Sequence, residues 1–215
     1  MQSAAAELLS FGVCGLQLTP GLVPTEKFHS WLEERQVKVR THHGFHWQRM
    51  RAKVWSETAD CLVVSDSVHP PLKDDLCAGI WQHRAECGDY NHLILETMYP
   101  GYCLGNGEEL LWAMDLGLKL AVDVSHIYLQ LCQSSLEPKI WRKLQNYELI
   151  QELHLSANSG KADSHQPITK KTFGLDWIRE RSSDGTFVIL ESYIHRLSLE
   201  ERQQQLMLVQ DFLQK

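Results

Sequence analysis

The chain has 215 residues, a net charge of −6 and an apolar fraction of 43%. That length predicts one domain spanning residues 1–215, with room for a true core. The acidic balance argues against a global basic field for nucleic acid or an anionic membrane. No apolar run approaches the ~20 residues a membrane span needs. The opening segment MQSAAAELLSFG lacks the basic region of a signal peptide. Six cysteines (Cys14, Cys61, Cys77, Cys87, Cys103, Cys132) are scattered without a CxxC pair, the pattern expected of free thiols in a reducing cytoplasm.

In chain order, residues 3–11 predict a helix stopped by Gly12, and 13–18 a strand. Thr25 is an N-cap candidate for a helix whose Phe28, Trp31 and Leu32 share one face. A strand at 36–40 leads into Thr41-His42-His43-Gly44. Residues 48–58 predict a helix and 61–64 a buried strand, with His69-Pro70-Pro71 behind it. Pro71 can open a helix running to Cys87. After a strand at 93–96, Asn106 and Glu109 predict a capping box for helix 107–117. Then follow a strand at 118–123, a helix at 139–147, a strand at 149–155, a polar loop at 156–167, a helix at 173–181 and a strand at 187–191. Ser198 and Glu201 form a second capping box, opening a helix that runs to Leu213. Trp31, Trp55, Trp112, Trp141 and Trp177 fall on predicted helices, where packing is their simplest role.

Strands and helices alternate throughout, and the strands are short apolar runs, as in a parallel sheet buried on both faces. About seven such strands suit a (β/α) TIM barrel, abbreviated at its N-terminus and starting at the first helix with the first strand missing. The usual barrel has eight strands in about 250 residues, with its site at the C-terminal strand ends.

Those ends carry the chemistry here. Leu93-Ile94-Leu95 ends in Glu96, Leu120-Ala121-Val122 ends in Asp123, Leu153 precedes His154, and Phe187-Val188-Ile189-Leu190 ends in Glu191. A single carboxylate after a strand is more often a helix N-cap than a ligand. Four successive strand ends carrying carboxylate and imidazole, without cysteine, suit Mn²⁺, Mg²⁺, Fe²⁺, Co²⁺ or Zn²⁺. Glu96, Asp123, His154 and Glu191 would hold a first metal; His126, Asp163 and His165 could hold a second. His69 and either His42 or His43 could serve a third metal or the substrate.

The order Glu, Asp-x-x-His, His, Asp-x-His, Glu resembles the xylose isomerase-like barrel superfamily. That group holds sugar isomerases and epimerases, endonuclease IV, and iron-dependent peptide-modifying enzymes of the DUF692 type. The isomerase resemblance implies one divalent metal and a small carbohydrate substrate, with Glu96 and Glu191 doubling as proton shuttles through an enediolate and His126 touching substrate. The endonuclease IV and DUF692 resemblances imply further metal ligands at His126, Asp163 and His165, and His69 resembles a histidine of endonuclease IV, which uses two or three metals. His42-His43-Gly44 resembles a metal-binding histidine of both multinuclear branches, and the run Val122 to Tyr128 also has a DUF692 character. Isomerase or epimerase is the leading expectation; the multinuclear phosphodiesterase and the iron enzyme are its alternatives. Homo-oligomer formation is left open.

Overall fold

The computed structural model describes residues 1–214. It contains seven strands, all paired in parallel, and eight α-helices. The strands are β1 (Gly15–Leu18), β2 (Lys38–Thr41), β3 (Ser67–Val68), β4 (Ile94–Glu96), β5 (Lys119–Asp123), β6 (Ile150–Leu155) and β7 (Phe187–Leu190). The helices are α1 (Gln2–Ser10), α2 (Glu26–Glu34), α3 (Ala78–Glu86), α4 (Gly107–Asp115), α5 (Val124–Cys132), α6 (Pro138–Gln145), α7 (Leu175–Ser183) and α8 (Leu199–Leu213). In place of one continuous barrel sheet, β1-β2 form one sheet and β3-β4-β5-β6-β7 another. A single parallel bridge between His42 and Ser67 joins them. The strands thus stand in sequence order, as right-handed β-α-β crossovers place them, and the larger sheet is a curled half-barrel.

Side-chain alternation on these strands separates the core from the site. Leu95, Leu120, Val122, Leu153 and Leu155 pack into one core with Trp81, Leu110, Ile127, Leu144 and Ile178 from the surrounding helices. Their neighbours Glu96, Ala121, Asp123, Glu152 and His154 are equally buried but lie outside that apolar cluster. The period of two sends them to the opposite face, inside the curl. A second, smaller core of Ala5, Leu18, Phe28, Trp31, Leu32 and Phe45 underlies the N-terminal segment.

Three helix starts follow the sequence signals. Thr25 Oγ1 accepts from Phe28 N, Asn106 Oδ1 accepts from Glu109 N, and Ser198 and Glu201 form a reciprocal capping box. At Asn106 the box is incomplete, because the Glu109 carboxylate accepts from Gly105 N instead.

Other expectations are corrected. Residues 48–58 form turns and an extended stretch, not a helix, and Trp55 sits in an isolated antiparallel bridge with Cys61. The run 61–64 is no buried strand, since Leu62 is exposed and Val64 wholly so. The pairing strand lies later, at Ser67-Val68, whose residues are buried. Contiguous apolar residues marked a strand there, but which backbone reaches the sheet is set by the anchoring at either side. His43 N donates to Ser67 O, and Asp66 N donates to Thr41 O. The helix expected from Pro71 begins only at Ala78. Residues before it are held in turns, with Lys73 N donating to Gly101 O and Leu72 bridging Tyr102. One element was not anticipated: α5 follows directly on β5.

Candidate metal centre

Asp123 begins the site. Its Oδ1 accepts from Ser125 N at 2.6 Å and His126 N at 3.1 Å, capping α5. Its Oδ2 is buried with no hydrogen-bond partner. The same carboxylate thus caps the helix with one oxygen and leaves the other free. In β5–β6 register Asp123 stands opposite His154, and Glu96 lies one strand over, opposite Ala121. Glu191 follows β7, its N–H donating to Leu155 O. One ligand atom each from Glu96, Asp123, His154 and Glu191 fall within 4.8 Å of one another.

Two further groups flank this quartet. His42 Nε2 and His69 Nε2 both stand 3.3 Å from Glu96 Oε2, and 2.8 Å from each other. Glu96 therefore belongs to both groups, and His42, Glu96 and His154 also converge. On the other side, Asp163 Oδ2 lies 3.3 Å from His126 Nε2 and 3.0 Å from His165 Nε2. The loop carrying that pair is ordered by an Ala157–Gln166 bridge and by Asn158 Nδ2 donating to Ser125 O. His165 has φ 44, a left-handed backbone uncommon for a non-glycine residue and typical of constrained functional loops.

The structure separates His42 from His43. His42 reaches the cluster, whereas His43 Nδ1 accepts from His69 N and its ring stacks on His69 at 4.0 Å. Gly44 (φ 79) lets the chain turn there; a Cβ would fall 2.6 Å from Ala52 O.

Ring orientation favours cation binding. His126 Nδ1 lies 2.9 Å from Thr97 O, a bond only a protonated Nδ1 can donate, which leaves Nε2 facing Asp163. His126 Nε2, His154 Nδ1, Glu96 Oε2 and Asp123 Oδ2 are all buried without hydrogen-bond partners. Buried polar atoms are seldom left so. Glu96, Asp123 and His154 among them belong to one convergent group, and carboxylate-imidazole donors of this kind fit a divalent metal. These buried groups could hold a metal ion.

The electrostatics agree. Burial lowers the imidazole of His154, but Glu191, Glu96 and Glu152 outweigh it and raise its pKa well above the usual value. Burial likewise opposes charge on His126, and Asp123, Asp163 and Glu96 outweigh it, raising that group too. Burial would raise Glu96, yet the neighbouring His69, His154 and His126 hold it well below its usual value. Asp163, against its burial, is held low by His126 and His165. Glu191 is pushed up to about 7, by burial first, with Glu96 and Asp123 adding to it. A cluster that draws protons onto its histidines in this way is one that demands positive charge.

Sequence reading missed two supporting residues. Thr97 accepts from Asp123 N through Oγ1 and from His126 through its carbonyl. Glu152, fully buried, lies 3.0 Å from His154 Nε2. Its place two residues before His154 on one strand was the available signal.

A solved structure, titled as a D-tagatose 3-epimerase-like protein, matches over 100% of this chain and 93% of its own, with a TM-score of 0.67. Sequence identity is 14%, so this likeness is one of fold. No family model and no curated protein matches the chain. Among the described residues, no helix is long and apolar enough to cross a membrane.

Proposed function

We propose that this chain is a divalent-metal-dependent isomerase or epimerase acting on a sugar or related polyol. The observation that carries the reading is the quartet Glu96, Asp123, His154 and Glu191, convergent at four successive strand ends. The epimerase-like structural neighbour supports the same substrate class. The quartet would hold the ion, which when bound supplies a Lewis acid for a substrate carbonyl. Mn²⁺, Mg²⁺, Co²⁺, Zn²⁺ and Fe²⁺ all suit this donor set.

The proton chemistry belongs to the two glutamates. Glu96 is held ionised and serves as the base that takes the proton from the carbon next to the carbonyl. The C–H electron pair moves toward the carbonyl oxygen to give an enediolate. Glu191, across the quartet from it, returns a proton to carbon. General acid–base transfer of this kind is worth roughly 10²–10⁴-fold. Glu191 is also the quartet member most open to solvent, at 13% side-chain exposure, so exchange with water runs through it.

The test is solvent-deuterium incorporation into a panel of ketohexoses by Mn²⁺- or Co²⁺-loaded protein, followed by NMR. Exchange at the carbon beside the carbonyl, lost in Glu96→Gln, supports the reading. No exchange with any ketose by fully loaded protein overturns it.

One observation favours a second reading. The flanking groups His42–His69–Glu96 and His126–Asp163–His165 provide for more than one ion. Two or three metals per chain, with hydrolysis of a phosphodiester probe, would indicate an endonuclease IV-like phosphodiesterase. Bound iron would instead point to the DUF692-like peptide-modifying class.

A further inference from the structure

Below the metal-facing atoms lies a buried carboxylate that the proton chemistry does not use. Glu152 sits two residues before His154 on β6, on the same face and fully buried. A bare carboxylate there would be strongly disfavoured. It has three partners. His154 Nε2 is 3.0 Å away. Arg40 Nη2, from β2 of the other sheet, pairs with its Oε1. The Ser67 hydroxyl meets it from β3 and also lies 3.0 Å from His42 Nδ1. One carboxylate therefore stands behind two of the histidines that converge on Glu96.

Its effect on His154 follows from imidazole chemistry. A carboxylate only accepts, so Nε2 must carry the proton it donates to Glu152. In the neutral ring, Nδ1 is then a bare lone pair. That Nδ1 lies 3.2 Å from both Glu96 Oε2 and Glu191 Oε1, in the middle of the quartet. Carboxylates behind metal-facing histidines commonly fix tautomer and ring orientation in this manner. Arg40 supplies the counter-charge, and is itself held with its guanidinium 4.9 Å over the Phe187 ring of β7 and 4.0 Å from Asp66. Its planar fork suits a buried pairing that lysine would serve poorly.

We propose that Glu152, anchored by Arg40, is the positioning carboxylate of the centre: it presents Nδ1 of His154 to the metal and steadies His42 through Ser67. The inference rests on the reading of His154 as a ligand and adds to it the residues that orient the ligand. It also gives the contact between the two sheets a role, since Arg40 reaches Glu152 from the smaller one.

The test uses the full chain, with Zn²⁺ affinity measured by chelator competition and the His154 tautomer read by ¹⁵N NMR on metal-free protein at a pH high enough to leave the imidazole neutral. Glu152→Gln is expected to weaken Zn²⁺ binding about 10–100-fold and to mix the His154 tautomers. Arg40→Met is expected to weaken it less, and the double variant to show less than the product of the two. If Glu152→Gln does not fold, Glu152→Asp keeps the charge but shortens the reach, and weakened affinity with an intact fold supports the role. His154→Ala separates the two readings: Zn²⁺ binding unchanged in that variant removes His154 as a ligand. Loss in His154→Ala with wild-type affinity and tautomer in the Glu152 and Arg40 variants overturns the positioning role.

Discussion

The two sheets are built to different standards of burial. Every residue of β5 except Lys119, and every residue of β6 except Gln151, is buried. Of β1 and β2, only Leu18 is. The larger sheet lies on an extensive apolar core, while the N-terminal strands rest on the small cluster around Phe28, Trp31 and Leu32. Yet both regions reach the centre. The larger sheet supplies the whole quartet, and the smaller one contributes His42 and the Arg40 anchor. Close packing immobilises side chains in a way a half-exposed strand cannot.

The strongest test of that link is Glu96→Gln, because Glu96 is shared by the quartet and the His42–His69 group. Turnover is expected to fall about 10²–10⁴-fold, the range for removing a general base, with metal lost from the two groups together. Elemental analysis beside the deuterium-exchange assay reads both; full metal content in the variant would break the link. Stability offers the next contrast. Leu153→Ala, a fully buried residue of β6, is expected to cost about 2–5 kcal/mol. Leu16→Ala, on half-buried β1, should cost about 1 kcal/mol. Urea denaturation of both variants measures the difference, and equal losses would show that the two regions are equally packed.

Acidity probes the centre itself. Glu191 has its folded pKa raised from 4.5 to about 7. A carboxyl raised in this way stabilises the fold below its unfolded pKa and loses that contribution as pH rises through the folded one. The metal-free protein should therefore lose about 3 kcal/mol between pH 4.5 and 7 from this group. Asp123, raised chiefly by its burial, acts with the same sign. His154, raised by Glu191, Glu96 and Glu152, loses its contribution only above pH 6.5, toward its own elevated value. Metal-loaded protein should show no such fall, since the ion replaces the protons. His42 and His43, lowered by their burial, act with the opposite sign below pH 6.5, so the Glu191 part is read as the difference between wild type and Glu191→Gln in metal-free protein, and a difference that does not change across this window would contradict it.

The smallest effect is expected at the N-terminal unit. Thr25→Ala removes the cap of α2 and should cost about 1 kcal/mol in thermal denaturation. The metal content of the quartet should be unchanged, and a loss there would tie the small core to the centre more tightly than its packing suggests.

Legibility followed the same contrast. From β4 to β7 the apolar runs and their terminal Glu96, Asp123, His154 and Glu191 were readable, because strands packed on the core carry contiguous apolar residues and polar ones stand out at their ends. Between 48 and 77 the reading failed. Periodicity suggested a helix at 48–58 and a strand at 61–64, but loop contacts to Gly44, Thr41 and Gly101 decided that backbone. Which of His42 and His43 faces the cluster was equally unreadable, since adjacent residues differ only by the turn that carries them. α5 has no start signal of its own beyond Asp123, which caps it with one oxygen and leaves the other without a hydrogen-bond partner.

By itself, then, the sequence determined the alternation of strands and helices, three helix caps, and which polar residues end the central strands. These are local matters of period, propensity and spacing. Only the tertiary structure decided that His42 and His69 meet on Glu96, that Asp163 and His165 fold back over His126, and that Arg40 reaches Glu152 across the interior. Each of these joins residues far apart in the chain, and strand order, register and buried charge, not local pattern, bring them together.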